Sequence, residues 1–435
     1  MEEQDLIGLR FAHMSREELK AWQDERLPIQ VKQAAKSPWY AKKFKELGIN
    51  PEDIKSADDI TKLPFTTKVD LRESYPAGML SVDPSEIVRM HTSSGTTGKP
   101  TAIMHTKQDV ENWSEIMARS LWASGFTKDY VFQNMSGYGL FSGGLGIHMA
   151  AEKLGMWTIP AGAGNTQRQL MLIRDFNVTG VHVTPSYFMH VAETMIENGE
   201  DPRSLPIKRA ICGAEPYTEE FRKRLEFLYD IKVYNNYGLS EMNGPGVGIE
   251  CLEQNGMHIW EDSYIVEIID PGTLEPVPDG EVGELVLTLL RREGMPILRY
   301  RTKDLTYIMP GECPCGMVHK RIARFVGRSD DMLIVSGVNC FPSQIEEVIM
   351  KHKWLGGNYL ITLTKENFLD RMTIEVEVNR NEFSGNMDVL KEQKAKLAAE
   401  LRDTLGFRVI LNLVEQGSLP ASVGKAKRVV DKRDE

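Results

Sequence analysis

The sequence has no apolar run approaching the roughly 18 residues a membrane helix needs, so a spanning segment is excluded from its 435 residues. It also lacks a basic excess. With 52 Lys and Arg against 62 Asp and Glu, the net charge is −10, which argues against a nucleic-acid backbone as the main partner. The opening MEEQDLIGLRFAHM carries acidic groups where a secretory signal would be basic, and no apolar stretch follows, so a cytoplasmic protein is expected. Cysteine is scarce: five, an odd number, do not form a disulfide framework in a chain of this kind. There is no internal repeat and no low-complexity tract. The 41% apolar and 26% charged shares are those of a globular chain, long enough for two or three domains. An acidic chain can still hold a nucleotide, because clustered backbone N–H groups, a cation or two and Mg²⁺ suffice.

From about residue 30 to 75 the text is helical, charged and punctuated by turns. An α/β alternation follows: a helix near 167–176, the run GVHVTP, a helix near 187–197, a strand near 209–212, a helix near 218–229 and a strand near 231–234. This order predicts a mainly parallel sheet with sites in the loops at the C-terminal ends of its strands. Between about 258 and 328 the turns and alternation change to antiparallel strand signals. A compact α+β unit is expected beyond them. The expected fold class is therefore α/β, with a large N-terminal domain over 1–329, a small mobile α+β domain over 330–435, and a hinge near Asp330.

The segment His91-Thr-Ser-Ser-Gly-Thr-Thr-Gly-Lys-Pro-Thr101 crowds hydroxyls, two glycines and a lysine together. Such a loop can turn N–H groups, hydroxyls and one full charge toward an anion. It is not a Walker loop, since Ser93 stands where that motif needs glycine. A flexible Ser/Thr/Gly linker would have a similar composition. The same chain also carries Tyr237-Gly-Leu-Ser-Glu241, Tyr300-Arg-Thr-Lys-Asp304, Gly327-Arg-Ser-Asp-Asp331 and Gly424-Lys425, in that order. Together these motifs resemble the adenylate-forming acyl-CoA synthetases. GYGLFSGGLG at 137–146, GAEP at 213–216 and SGVNCFPSQIEE at 336–347 are similar to the phenylacetate-CoA ligase family, and the resemblance runs from about residue 35 to the C-terminus.

The resemblance implies an AMP-forming carboxylic acid:CoA ligase acting on a small aromatic acid, with ATP, Mg²⁺ and coenzyme A, and a homodimer by analogy. It places Ser93, Ser94, Gly95, Thr96, Thr97, Gly98 and Lys99 on the β- and γ-phosphates. Gly213, Ala214, Glu215 and Pro216, with Asn236, Tyr237, Gly238 and Ser240, would frame the adenine and the acid's carboxylate end. Glu241 would meet Mg²⁺, a hard cation that favours carboxylate oxygen. Asp304 would accept from the ribose hydroxyls, which suits an ionised carboxylate, with Arg328 beside it. Tyr138, Gly139 and Phe141, with Ala214 nearby, would wall the acid pocket. Lys425 would bridge the acid carboxylate and the phosphates. Transfer of the acyl group to a carrier protein or amine, or a non-catalytic nucleotide-binding role, remains open at this level. Many family members have glycine where this chain has Lys303, and the sequence offers no reason for that lysine.

Cys313 and Cys315 lie in the turn-rich GECPCGMVH, while Cys251 and His258 flank the Glu-Gln-Asn-Gly turn. Thiols and imidazole from two turns can close a tetrahedral zinc site, although C-x-C is shorter than the common spacing and reduced loop thiols would look alike. Cys212 and Cys340 sit in apolar runs and are expected in the core.

Overall fold

Local chemistry sets the N-terminal helices. The computed structural model describes residues 7–92, 100–335, 338–366, 369–379, 387–420 and 428–433. Helix α1 (Arg16–Ala34) starts at Ser15, whose hydroxyl accepts the Glu18 amide while the Glu18 carboxylate accepts the Ser15 amide. Helix α2 (Pro38–Leu47) has proline in its first turn and stops at Gly48 in the left-handed region. After α3 (Lys68–Glu73), strands β1 (Ile87–Thr92) and β2 (Ala102–Thr106) form a hairpin with Thr92 opposite Ala102. Thr106 and Asp109 cap α4 (Lys107–Ala123), a helix the sequence reading did not anticipate; it buries Trp113, Ile116, Met117 and Leu121.

The α/β alternation then runs β3 (Val131–Asn134), α5 (Ser142–Lys153), β4 (Trp157–Ile159), α6 (Thr166–Asp175), β5 (Gly180–Val183), α7 (Pro185–Glu197), β6 (Arg209–Gly213), α8 (Glu219–Tyr229) and β7 (Lys232–Leu239). It continues through β8 (Gly244–Glu250), β9 (Met257–Ile259), β10 (Tyr264–Ile269), β11 (Gly283–Leu289), β12 (Tyr300–Thr306), β13 (Arg321–Ile322) and β14 (Gly327–Arg328). An eight-stranded sheet has the order β13-β9-β8-β7-β6-β5-β3-β4, parallel from β4 to β7 and antiparallel beyond. Every residue of β5 is buried, as a strand covered on both faces requires. A second, antiparallel sheet runs β10-β11-β12-β14. β7 extends well past the expected end near residue 234 because its second half pairs with β8.

The C-terminal unit comprises β15 (Leu333–Val335), β16 (Val338–Cys340), α9 (Pro342–Met350), β17 (Leu355–Glu366), β18 (Leu369–Val378), α10 (Met387–Leu405), β19 (Ile410–Glu415) and β20 (Val429–Asp431). Its sheet order is β19-β18-β17-β20. β20 pairs in parallel with β17 at the edge of this sheet. The unit docks on α7 and α8: the Gly357 amide donates to Glu193 Oε1 (3.0 Å), the Thr218 amide to Glu346 Oε1 (2.9 Å), and Arg224 to the Leu355 carbonyl (2.6 Å). Val181, Phe188 and Phe221 share one apolar cluster with Val335, Ile345 and Ile361. Cys212 and Cys340 are buried as expected.

Candidate active site

The parallel strands deliver their following loops to one edge of the sheet. β3 leads into Tyr138 and Phe141, β6 into Ala214, Glu215 and Pro216, and β7 carries Asn236, Tyr237 and Gly238 toward Ser240 and Glu241. Two glycines are dictated by close backbone approach. A Cβ at Gly213 would stand 2.3 Å from the Asn236 carbonyl oxygen, and one at Gly238 only 1.9 Å from that of Gly244. Ala214 is exposed and has φ +71, a conformation that L residues adopt at a cost. Glu215 turns inward, its carboxylate accepting the Ser186 amide at the start of α7 (2.7 Å). Asn236 is also held, accepting from the Gly246 amide (3.1 Å).

Asp304 is the centre of a polar constellation drawn from three strands. Tyr237 donates its hydroxyl to Asp304 Oδ2 (2.6 Å), and Arg328 Nη1 donates to Oδ1 (2.8 Å). The β12–β14 register sets Asp304 directly opposite Arg328. Arg328 also grips Asp330 through two bonds. Burial raises the Asp304 carboxyl above its ordinary range, while Arg328 and Tyr237 oppose that rise by favouring the ionised form. The Tyr237 phenol is pushed well up by burial and by the Asp304 charge. Glu241 is buried beside the Tyr300 phenol, which burial and then the Glu241 charge push well above ordinary tyrosine. A buried carboxylate at the end of β7 suits a hard divalent cation held jointly with phosphate oxygens.

The segment after β3 is tied to the same region. Ser142 and Ser240 hydroxyls lie 3.0 Å apart, joining the start of α5 to the Glu241 turn. Tyr138 is anchored: its hydroxyl accepts from Asn134 Nδ2 (3.0 Å) and lies 3.2 Å from His148 Nδ1, and His148 meets Glu152 one turn on. Leu140 and Phe141 are 57% and 54% exposed, which makes them apolar surface at the mouth of this region. Sequence reasoning missed His148 and Asn134, since nothing but the His-Glu i,i+4 spacing marks them. His91 packs edge-on against His105 and Trp113, as a core residue would.

Lys303 now has a physical account. Its φ is +69, so the position favours glycine, and its ammonium lies 3.5 Å from Glu284, a fully buried carboxylate that Arg301 also pairs (2.7 Å). Ser93, Ser94, Gly95, Thr96, Thr97, Gly98, Lys99 and Lys425 lie outside the described residues; the first seven join β1 to β2.

The four ligand atoms of Cys251, His258, Cys313 and Cys315 lie within 4.8 Å of one another. Tetrahedral zinc with bonds of about 2.3 Å to sulfur separates two thiolates by roughly 3.8 Å. Here the sulfurs of Cys251 and Cys313 are 3.7 Å apart, and Cys315 Sγ is 3.3 Å from His258 Nε2. His258 Nδ1 is 2.9 Å from the His319 carbonyl, a bond that fixes the tautomer leaving Nε2 as the ligand atom. The donor set fits a structural zinc ion with all four positions supplied by protein. Sequence and structure agree on the same four residues.

Two family models match: "AMP-binding enzyme" over residues 16–288 and "AMP-binding enzyme C-terminal domain" over 337–433. The chain is 44% identical to a phenylacetate-coenzyme A ligase of Aromatoleum evansii over 423 residues, covering 96% of each chain. It is 41% identical to the Thermus thermophilus enzyme of the same name, covering 97% of this chain and 98% of that one. The likeness thus reaches further toward the N-terminus than the start near residue 35 read from the motifs. A 2-hydroxyisobutyryl-CoA ligase with its acyl-AMP in the postadenylation state superposes with TM-score 0.91 at 29% identity, over 98% of this chain and 92% of that one. The same ligase with CoA in the thioesterification state gives 0.71 at 30% identity over the same shares. The chain belongs to the AMP-binding enzyme family and, within it, to the phenylacetate-coenzyme A ligases.

Proposed function

We propose that this AMP-forming acid:CoA ligase takes phenylacetate or a closely related arylacetate. The observation that carries the reading is near full-length identity of 41–44% to four phenylacetate-coenzyme A ligases. The acid's carboxylate attacks the α-phosphorus of ATP and displaces pyrophosphate; the CoA thiol then attacks the acyl carbon and AMP leaves. Catalysis in the first half is positioning and charge neutralisation. In this reading Asp304 holds the ribose hydroxyls between Tyr237 and Arg328, and the 213–216 and 236–240 segments frame the base and the acid's carboxylate. Glu241 would hold Mg²⁺, which when bound neutralises phosphate charge. Ser93 to Lys99 bind the β- and γ-phosphates, and Lys425 reaches the reacting carboxylate. Tyr138, held by Asn134 and His148, would present a fixed aromatic wall with Gly139, Phe141 and Ala214 around the ring.

The chain would divide near Asp330 into a large and a small domain, and the small one would rotate between the half-reactions, breaking its contacts with α7 and α8. Cys251, His258, Cys313 and Cys315 would hold a structural zinc ion. The test of the substrate is a panel of acids with ATP, Mg²⁺ and CoA, followed by AMP release and thioester mass. Arylacetates should give the highest kcat/KM, with modest differences among them because each methylene discriminates by only about 1–3 kcal/mol. A best rate with acetate or a long fatty acid would overturn the pocket assignment.

A further inference from the structure

Behind the proposed nucleotide site, one fully buried cation joins two elements that are distant in sequence. Arg292 has no exposed side chain, and its Nη1 donates to Asn243 Oδ1 on the turn that follows Glu241. Its Nη2 reaches the Met104 carbonyl (3.3 Å) and lies 3.5 Å from His105 Nε2; both residues are on β2, the strand that leaves segment 93–99. Asp109, equally buried, lies 3.9 Å from the guanidinium. Burying a charge is expensive unless partners surround it, so a cation in this place needs a reason. Simple folding does not call for one, since an apolar side chain of similar volume would fill the space as well.

The rest of the joint points the same way. Asn243 holds φ +67, a conformation in which asparagine is tolerated and most residues are strained. The Tyr264 hydroxyl donates to the Met242 carbonyl (2.9 Å). Trp113, stacked on His105 at 5.5 Å, donates its indole N–H to the Pro245 carbonyl (3.1 Å). The Glu241 turn is therefore fastened from behind to the β1–β2 hairpin, and Arg292 donates hydrogen bonds to both.

We infer that Arg292, acting through Asn243, is a positioning residue that fixes the Glu241 turn relative to strand β2, and with it the carboxylate that would hold Mg²⁺ against the triphosphate. This rests on the role proposed above for Glu241. Misplacement by about 1 Å in a positioned reaction can lower the rate on the order of 10²-fold. Asn243→Gly is the sharp test, because glycine accepts the left-handed backbone and removes only the side chain that Arg292 holds. The variant should bind ATP with Mg²⁺ more weakly by calorimetry and slow acid-dependent pyrophosphate exchange on the order of 10–100-fold. Its KM for the acid and its conversion of supplied acyl-adenylate and CoA to thioester should stay at the parent values. Arg292→Met should reproduce that pattern, and Arg292→Lys should restore part of the rate. An Asn243→Gly protein with parental ATP affinity and exchange, or one slowed equally in both half-reactions, would overturn the inference. If the parent enzyme itself showed no acid-dependent exchange, the functional reading would fail first and this inference with it.

Discussion

The Cys251/His258/Cys313/Cys315 cluster and the Asp304 constellation both gather polar side chains from several strands, yet they are built in opposite ways. In the first, four ligand atoms close on one another within 4.8 Å, and His258 is braced from behind by the His319 carbonyl. In the second, Asp304 is gripped from two sides, while Ala214, Pro216 and Gly139 in the loops that follow the parallel strands, and Gly238 near the end of β7, are exposed. A closed donor set serves stability and leaves no position for a substrate; an open one can bind, react and release. The account therefore predicts that damage to one region should not look like damage to the other.

The largest effect should come from Lys425→Ala. Removal of a preorganised charge costs roughly 10²–10³-fold in rate, about 2.7–4 kcal/mol. The loss should fall on acid-dependent pyrophosphate exchange, while supplied acyl-adenylate and CoA still give thioester, Lys427→Ala does little, and Tm is unchanged. Equal slowing of both half-reactions would break the assignment. Asp304→Asn should rank next. Replacing an ionised acceptor with an amide forfeits charged hydrogen bonds worth about 1.5–3 kcal/mol, so KM for ATP should rise by roughly ten- to a hundredfold, with KM for the acid unmoved.

Cys315→Ser sharpens the contrast from the other side. Zinc measured in protein purified without chelator should fall from one equivalent per chain toward zero, and Tm should drop, because a structural site contributes its binding energy to the fold. KM values for ATP and acid in the folded fraction should hold. Protein that never carries zinc would remove the metal from the account. The smallest effect is expected at Lys303→Gly. Relief of the left-handed backbone and loss of an ion pair to Glu284 oppose each other, each about 1 kcal/mol, so stability should change little and ATP binding should not respond.

Much of this was legible in the sequence, for definable reasons. The α/β alternation is a periodic signal spread over many residues, and the helices at 166–175 and 185–197 lie within a few positions of their expected bounds. The cysteine cluster was legible because two turns placed thiols and an imidazole in polar contexts. Three kinds of feature were not. β7 was read short because its extension depends on pairing with β8, a tertiary contact. Lys303 made no sense until its φ was known, since no composition argument reveals a left-handed backbone. Arg292 bonds Asn243 and Met104, and His148 lies against Tyr138, through contacts between residues well apart in sequence that leave no periodicity and no motif.

The most direct test of the central claim follows one atom. If an acyl-adenylate forms, the bridging oxygen of the mixed anhydride comes from the acid, and attack by the CoA thiol at the acyl carbon leaves that oxygen on AMP. Phenylacetate labelled with heavy oxygen in both carboxyl positions, turned over with ATP, Mg²⁺ and CoA, should therefore yield AMP carrying one heavy oxygen, with unlabelled pyrophosphate, by mass spectrometry. Label in inorganic phosphate with release of ADP, or thioester formed with unlabelled AMP, would contradict it.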